Sequence, residues 1–194
     1  MSRATLLARL SIGRLQRLAG DESAVSAVEF ALLLPLMLTL YLGSVEITQG
    51  IAADRKVTLT ARSIGDLVSR ATSITNADMT NSLNAASSVM SPYPVSNLKV
   101  TVSSVSINAD GLATIKWSDT LNGIARVPGE AVTLPPGDAL KIPNTSLIWT
   151  EVQYSYKPVI GYVMSGTLTL KDQIYMRPRL SLCITRPPTV ANCP

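Results

Sequence analysis

The sequence predicts an α+β fold in which a long N-terminal membrane helix continues over an antiparallel sheet of about four strands. Three features of the sequence predict this fold. Residues 23–43 form one apolar run, and the residues after it keep the three- and four-residue spacing of an amphipathic helix. From residue 98 onward, apolar and polar residues alternate with the period of two that is typical of strands.

The apolar run of residues 23–43 reads SAVSAVEFALLLPLMLTLYLG and is long enough to cross a bilayer. A hydrocarbon core of about 30 Å needs roughly 20 apolar residues in helical form. Pro35 lies inside the run, where the missing backbone donor predicts a bend in the helix. A retained anchor is favoured over a cleaved secretory signal peptide, because the run contains an acid and no Ala-x-Ala site follows it.

The residues before the run are basic and orient the helix. Arg3, Arg9, Arg14 and Arg17 all precede it. Because basic flanks stay on the cytoplasmic side, we expect the N-terminus in the cytoplasm and the rest of the chain across the membrane. Residues 1–20 are expected to form a short helix that rests on anionic headgroups.

Glu29 is the single charged residue of the apolar run. Its carboxylate either lies hydrated at headgroup depth or needs a partner, because an unpaired charge in hydrocarbon is costly. Its surroundings, Ala-Val-Glu-Phe followed by Ala-Leu-Leu-Leu-Pro, resemble the TadE/TadG family of pilin-like proteins from bacterial tight-adherence (Flp) pilus systems. Residues 142–147, 151–158 and 175–179 are similar to later segments of that family.

The resemblance implies a pilin-like fold and a role for Glu29 in assembly. It places a prepilin-peptidase cut between Ala24 and Val25, so that Glu29 is the fifth residue of the mature chain and Phe30 follows it. In that family the acid is expected to meet the N-terminal amine of a neighbouring subunit and to set the register of assembly. Processed members usually carry Gly before the cut, whereas this chain has Ala24, and both cleavage and an uncleaved chain stay open.

The function that the resemblance implies is that of a membrane-anchored minor pilin or pseudopilin-like component of a tight-adherence (type IVb, Flp) pilus assembly or secretion machine. The implied partners are inner-membrane lipids, other pilin or pseudopilin subunits, assembly-platform proteins and prepilin peptidase. The implied location is the bacterial inner membrane, with a single pass and a periplasmic C-terminal domain. An alternative stays open, in which the periplasmic domain of a single-span protein binds or senses a ligand through the loop of residues 118–146.

Four regions are expected: a cytoplasmic basic leader at 1–22, the transmembrane helix at 23–43, a periplasmic helical region at 44–91 and a periplasmic β domain at 92–194. Thr75 and Asp78 form a capping-box-like start for a second helix that ends before Ser91. The apolar positions expected to face the sheet are Ile47, Ile51, Val57, Ala61, Ile64 and Val68 in the long helix, and Met79, Leu83, Ala86 and Met90 in the second.

Strands are expected at residues 98–107, 112–117, 147–156 and 167–176. Residues 108–111, Asn-Ala-Asp-Gly, supply the turn between the first two strands. Val105 and Ile107 are out of phase with the apolar residues before them, which indicates a bulge. Prolines and glycines predict a long loop over residues 118–146.

The two cysteines, Cys183 and Cys193, lie near the C-terminus, in the region assigned to the oxidising periplasm. We expect a disulfide between them, which thiol labelling without reductant would test. With no histidine and one pair of cysteines, the sequence predicts no metal site.

The absence of histidine also removes Ser-His-Asp and Cys-His catalysis, together with the commonest general base. A Ser-Lys dyad with Lys116 or Lys171 is the catalytic arrangement that remains, but lysines on alternating strands are more often solvated. No GxxxxGK or GxGxxG phosphate loop is present, so we expect neither enzyme activity nor a cofactor. Nucleic acid is not an expected partner, because no basic segment with interleaved aromatic residues follows the apolar run.

Overall fold

A computed structural model of the chain describes residues 22–135, 140–158, 160–161 and 165–187. These residues form an α+β fold, as predicted. The elements in chain order are helix α1 Glu22–Ser69, helix α2 Asn76–Met90, a short 3-10 helix Val95–Asn97, and strands β1 Leu98–Ile107, β2 Ala113–Leu121, β3 Thr145–Tyr156 and β4 Leu168–Met176. The helix expected at residues 1–20 lies outside the described residues.

The chain divides into two compact units. Unit 1 comprises Met1–Ile47 and Ile160–Ser165, and unit 2 comprises Thr48–Val159 and Gly166–Pro194. The described part of unit 1 is mainly the first half of α1, and this helix continues through Pro35 without a break. The bend predicted at Pro35 stays a prediction. Unit 2 contains the second half of α1, α2 and the sheet.

The four strands form one antiparallel sheet in the order β2-β1-β3-β4. β1 and β2 form a hairpin, and the Asn108 N–H donates to the carbonyl oxygen of Leu112 at 3.0 Å across the turn. Gly111 has a φ of +80°, a conformation in which a side chain would be strained. The predicted turn is therefore confirmed.

The strand boundaries agree closely with the sequence pattern: β2 and β4 begin one residue later than predicted, and two boundaries differ by more than one residue. β2 continues to Leu121, beyond the predicted end at residue 117, because Thr120 and Thr101 still pair across the two strands. β3 begins at Thr145 rather than at residue 147. The first strand was predicted with the observed bounds.

The bulge lies in β2 rather than in β1, as a comparison of the two pairings of β1 shows. β1 pairs with β3 without interruption over its whole length. Its pairing with β2 shifts between Ser104 and Val105, where Lys116 is the extra residue. Val105 therefore changes phase for another reason: the second half of β1 is buried on the opposite face of the sheet.

Both helices pack on one face of the sheet, here called the inner face. The main hydrophobic cluster joins α1, α2 and the sheet. Burying one Val or Ile side chain fully in such a cluster stabilises the fold by about 1.5–3 kcal/mol. Its main members are Ala53, Val57, Ala61, Ile64 and Val68 of α1, Met79, Leu83, Ala86 and Met90 of α2, and Leu98, Val100, Val102, Trp117, Ile148, Val152, Tyr154, Tyr156 and Leu170.

The apolar positions of α1 that were predicted to face the sheet are correct from Val57 onward and wrong before it. Ile47 and Ile51 are 51% and 50% exposed, and Ala53 is the first buried apolar residue of the stripe in unit 2. At about 100° per residue, Ile51 lies roughly 120° around the helix from Val57 and so leaves the buried face.

α2 begins where the capping pattern predicted. The Asp78 N–H donates to the Thr75 hydroxyl at 3.2 Å, and the Thr75 N–H donates to the Asp78 carboxylate at 3.1 Å. These hydrogen bonds satisfy donors at the helix start. The Thr75 hydroxyl also donates to the Asp78 carboxylate at 2.6 Å, and this bond, followed by that from the Thr75 N–H, lowers the pKa of Asp78 because both favour its charged form.

The opposite face of the sheet, here called the outer face, carries a second, smaller core at one end. Its buried members are Val105, Ile107, Ala113, Ile115, Leu134, Leu147 and Trp149. The ends of β1 are thus buried on different faces, and this explains the change of phase along the strand.

At Gly65, α1 approaches the sheet closely. A Cβ atom added there would lie 3.1 Å from the Thr150 hydroxyl, 3.3 Å from Ile174 and 3.4 Å from Met176. Gly65→Leu is expected to lower the free energy of unfolding by about 1–3 kcal/mol, because the added side chain would overpack this contact. Chemical denaturation followed by tryptophan fluorescence measures the change.

Ser63→Leu is the matched control for that prediction, because Ser63 is exposed on the same helix. Its effect should stay within about 0.5 kcal/mol. A Gly65→Leu chain as stable as this control would contradict a close contact between α1 and the sheet.

Candidate membrane-anchoring and assembly site

The first part of α1 exposes apolar side chains on all sides. Among the described residues, α1 is the one helix that is long and apolar enough to cross a membrane, and none of its most apolar stretch is buried. At about 1.5 Å per residue, residues 23–43 span roughly 31 Å, close to the thickness of a hydrocarbon core. The exposed residues include Val25, Val28, Phe30, Leu32, Leu33, Leu34, Leu36, Met37, Leu38, Leu40 and Tyr41.

Two hydroxyl groups, one inside this stretch and one directly after it, find partners within the helix. The Thr39 hydroxyl donates to the Pro35 carbonyl oxygen at 2.8 Å, and the Ser44 hydroxyl donates to the Tyr41 carbonyl oxygen at 2.8 Å. Such bonds matter in a bilayer, where no water satisfies a hydroxyl group. The stretch therefore offers hydrocarbon a surface with few polar groups other than Glu29.

Glu29 lies on the exposed surface of α1, one helical turn after Val25. Phe30 is next to it and is exposed as well. The structure places Val25, Glu29, Phe30 and Pro35 on one continuous helix. Ala24 is also in α1, but its side chain lies outside the described part of the chain. The roles predicted for these residues stay predictions.

The C-terminal segment of unit 2 is held against the sheet by Arg186, a residue that the sequence pattern did not single out. Its guanidinium donates two hydrogen bonds of 2.8 Å to Asp119 and one of 3.2 Å to the carbonyl oxygen of Ile74. The Trp117 indole also donates to the Ile184 carbonyl oxygen at 2.8 Å. These contacts join β2 to residues 184–186.

Cys183 is buried within the same segment. Its predicted partner, Cys193, lies outside the described residues, so the disulfide between them stays a prediction. Within the described residues, no group of three or more Cys, His, Asp or Glu side chains is arranged to hold a metal ion.

A second feature of unit 2 is a cavity of about 880 Å3 on the outer face, between the sheet and residues 122–130. Arg126 closes one side of it. The Arg126 guanidinium donates to both carboxylate oxygens of Glu151 at 2.8–3.1 Å and lies 3.9 Å from the centre of the Trp149 ring. Trp149 stacks on Tyr175 with ring centres 5.4 Å apart. Arg126 therefore ties the loop to β3 through a bidentate ion pair and a cation–π contact.

The loop beside the cavity is fixed at both ends. The Asn122 amide donates to the carbonyl oxygens of Val95 and Leu98 at 3.1 and 3.0 Å. At the other end, the Gly129 N–H donates to the Ile115 carbonyl oxygen at 2.7 Å. The cavity is therefore preformed, and one of its sides is residues 122–130, which belong to the loop predicted over residues 118–146.

The chain resembles a known protein family over a segment that begins in the apolar start of α1. Residues 24–65 match the family model of the TadE-like protein. The TadE-like segment, residues 24–65, includes Glu29, Pro35 and α1 as far as Gly65. The resemblance predicted from the sequence is confirmed over these residues. No curated protein and no solved structure gives a significant match to the chain.

The TadE-like segment and the single apolar helix of the described residues fit a membrane protein associated with a Tad pilus. The helix could span a membrane by its length and composition.

Tyr175, which stacks on Trp149, gives the Arg126–Glu151 pair a titration that can be measured. Burial raises the pKa of Tyr175 above its ordinary value of 10.0, and the Glu151 charge raises it further, whereas Arg126 lowers it. Glu151→Gln is therefore expected to lower this pKa and Arg126→Met to raise it. Carbon-13 NMR of labelled tyrosine, recorded against pH, measures both shifts.

The same shift links stability to pH. The folded-state pKa of Tyr175 is raised. Its contribution to the free energy of unfolding is therefore present below pH 10.0 and declines as the pH rises through the folded pKa. Tyr175→Phe should remove that part of the alkaline loss. A Tyr175 titration that is unchanged in both charge variants would contradict the placement of Arg126 and Glu151 beside Tyr175.

Proposed function

We propose that the chain is a membrane-anchored minor pilin or pseudopilin-like component of a tight-adherence pilus assembly or secretion machine. The observation that carries this proposal is the contrast along α1. Its first part exposes apolar residues all round with one acid among them, whereas its second part buries one stripe against a sheet. A helix of this kind suits a subunit that is first anchored in a bilayer and then packs against the apolar helices of other subunits during assembly.

Glu29 gives the proposal its specificity. A lone carboxylate among apolar side chains is costly in hydrocarbon, and an opposite charge from a neighbouring subunit would relieve that cost. In this proposal the carboxylate pairs with the N-terminal amine of a neighbour and fixes the axial register of the two helices. One buried polar pair can set register in this way because a displaced neighbour leaves the charge unpaired.

The proposed topology follows from the basic leader. Residues 1–22 lie in the cytoplasm, residues 23–43 cross the inner membrane, and residues 44–194 lie in the periplasm. Unit 2 then supplies the surface that distinguishes this subunit from others. Proposed partners are inner-membrane lipids, pilin subunits, assembly-platform proteins and, where the chain is processed, prepilin peptidase.

One observation favours the alternative function, a single-span protein with a periplasmic ligand-binding domain. The outer-face cavity of about 880 Å3 lies within the range of small-molecule sites. The two functions differ in how they depend on Glu29, because binding at the outer face does not involve the membrane helix.

Glu29→Gln is expected to abolish pilus assembly and to leave membrane insertion intact, because the change keeps the size of the side chain and removes its charge. Insertion should be equal or better, since the cost of a charge in hydrocarbon disappears. Pilus yield by microscopy and the membrane-bound fraction of the protein measure the two effects.

Asp54→Asn is the matched control, because Asp54 is an exposed acid of α1 outside the apolar run. Normal assembly is expected from this variant. If Glu29→Gln also assembled normally, the assembly role of Glu29 would be wrong and the ligand-binding alternative would gain support.

Processing is tested by the intact mass of the protein purified from its own host. A mass that starts at Val25 supports a processed pseudopilin, and in that case Ala24→Leu should block cleavage because it fills a small subsite. Ala24→Gly should raise the cleaved fraction where cleavage is incomplete. A mass that starts at Met1 or Ser2, with assembly unaffected by Ala24→Leu, would mean an uncleaved anchor.

A further inference from the structure

We propose that unit 2 associates end to end with a second copy of the chain, with the hairpin tip of one copy docked in the outer-face cavity of the next. The hairpin tip consists of residues 108–112. The hairpin tip and the end of the cavity formed by Lys99 and Lys171 lie at opposite ends of the same sheet, and the two surfaces carry complementary charges and apolar side chains. This inference deepens the assembly role proposed above, but it does not depend on Glu29.

The floor of the cavity carries a row of cationic side chains. Lys99 pairs with Gln153 across β1 and β3, and Gln153 pairs with Lys171 across β3 and β4, so the three residues form one row. Neighbouring strands are about 4.8 Å apart, which places the two lysine backbones roughly 10 Å apart. Both long side chains can therefore reach one anion above Gln153.

The carboxylates of the cavity do not neutralise this row. Glu151 is held by Arg126. Asp172 pairs with Val152 of the inner-face cluster, so its side chain leaves β4 on the opposite face from Lys171, and its carboxylate accepts the Gln173 N–H at 2.8 Å. Among the ion pairs of the described residues, none involves Lys99 or Lys171.

Glu130, the remaining acid of the lining, belongs to the far end of the cavity. Its carbonyl oxygen accepts the N–H of Ile115, and Ile115 pairs with Val105. Val105 is six residues along β1 from Lys99, a backbone distance of about 20 Å. The lysine row is therefore available to an acid from outside the chain.

The lip of the cavity is apolar. Ile124 is 93% exposed and Val127 is 67% exposed, on the loop that Asn122, Arg126 and Gly129 fix in place. An aliphatic side chain held out on a preformed loop binds at a low entropic cost. The cavity thus suits a segment that presents an acid next to an aliphatic residue.

The hairpin tip has this chemistry. Asp110 is exposed, and Leu112, two residues later, is 52% exposed. The Asn108 side chain fixes the turn, since its oxygen accepts the Leu112 N–H at 2.8 Å and its amide donates to the Asp110 carboxylate at 3.3 Å. The tip is therefore a preorganised projection with one negative charge and one aliphatic side chain.

The tip and the lysine row of one chain cannot meet. Asn108 is nine residues beyond Lys99 along the same chain, and a strand of that length extends about 30 Å. The contact must therefore join two copies head to tail, and a repeated head-to-tail contact generates an open line of subunits. One small contact of this kind is weak, so that it acts when other forces already hold the copies close together.

Charge reversal in the full-length chain, purified in detergent micelles, tests the interface by sedimentation equilibrium. Asp110→Lys alone, and Lys99→Glu with Lys171→Glu in one chain, should each weaken self-association by about tenfold or more, because like charges then face each other. A mixture of these two variants should regain association, since every contact between unlike variants again pairs opposite charges. Asp54→Lys, which reverses an exposed acid on the side of α1, is the control and should associate normally.

Zero-length carbodiimide crosslinking of a mixture of nitrogen-14 and nitrogen-15 chains locates the contact. The wild-type mixture should give mixed-isotope links between Asp110 and Lys99 or Lys171. Absence of such links, equal association of all variants, or an equal loss in Asp54→Lys would overturn the proposal. If these outcomes occur while Glu29→Gln still prevents pilus assembly, the end-to-end contact is wrong and the proposed function stands.

Discussion

The contact between the second half of α1 and the inner face of the sheet is the interaction on which the rest of unit 2 depends. From Ala53 to Val68, α1 presents small or β-branched residues that are almost fully buried. Gly65 lets the helix approach β3 and β4 closely, because any side chain there would meet Thr150 and Ile174. The inner face has no other long helix among the described residues, so this stripe supplies much of its cover.

One helix thus meets two different requirements along its length. In unit 1, α1 exposes apolar side chains on all sides, which water disfavours and a bilayer accepts. In unit 2, the same helix buries one side, and its charged residues are exposed or half-buried. The match of residues 24–65 to the TadE-like family spans both parts, so the family model covers the transition from one environment to the other.

The sequence predicted the regular elements well, because local patterns determine them. The alternation of β1, the turn before Leu112 and the capping box at Thr75 each follow from residues that are close in the chain. The bulge was assigned to the wrong strand, since a change in the buried face of β1 produces the same pattern as an inserted residue.

The long-range polar contacts could not be predicted in the same way. Arg126 and Glu151 are 25 residues apart, and Arg186 and Asp119 are 67 residues apart. Pairs so distant in sequence carry no periodic signal, and they become visible only when the topology brings β3 beside the loop and β2 beside the C-terminal segment. The first of these pairs ties the loop beside the cavity to β3, so the sequence predicted the loop but neither the shape of the cavity nor its lysine row.

Glu29 is the opposite case, since its lone charge in an apolar run was visible from the sequence alone.

Hydrogen exchange of the full-length protein in lipid nanodiscs tests the central claim, that α1 forms one cooperative unit with the sheet, most directly. Amides of residues 53–68 should exchange as slowly as those of β1 and β3, and both sets should lose protection together as denaturant is added. Fast exchange of residues 53–68 beside a protected sheet would contradict the account, because α1 would then unfold separately from the sheet.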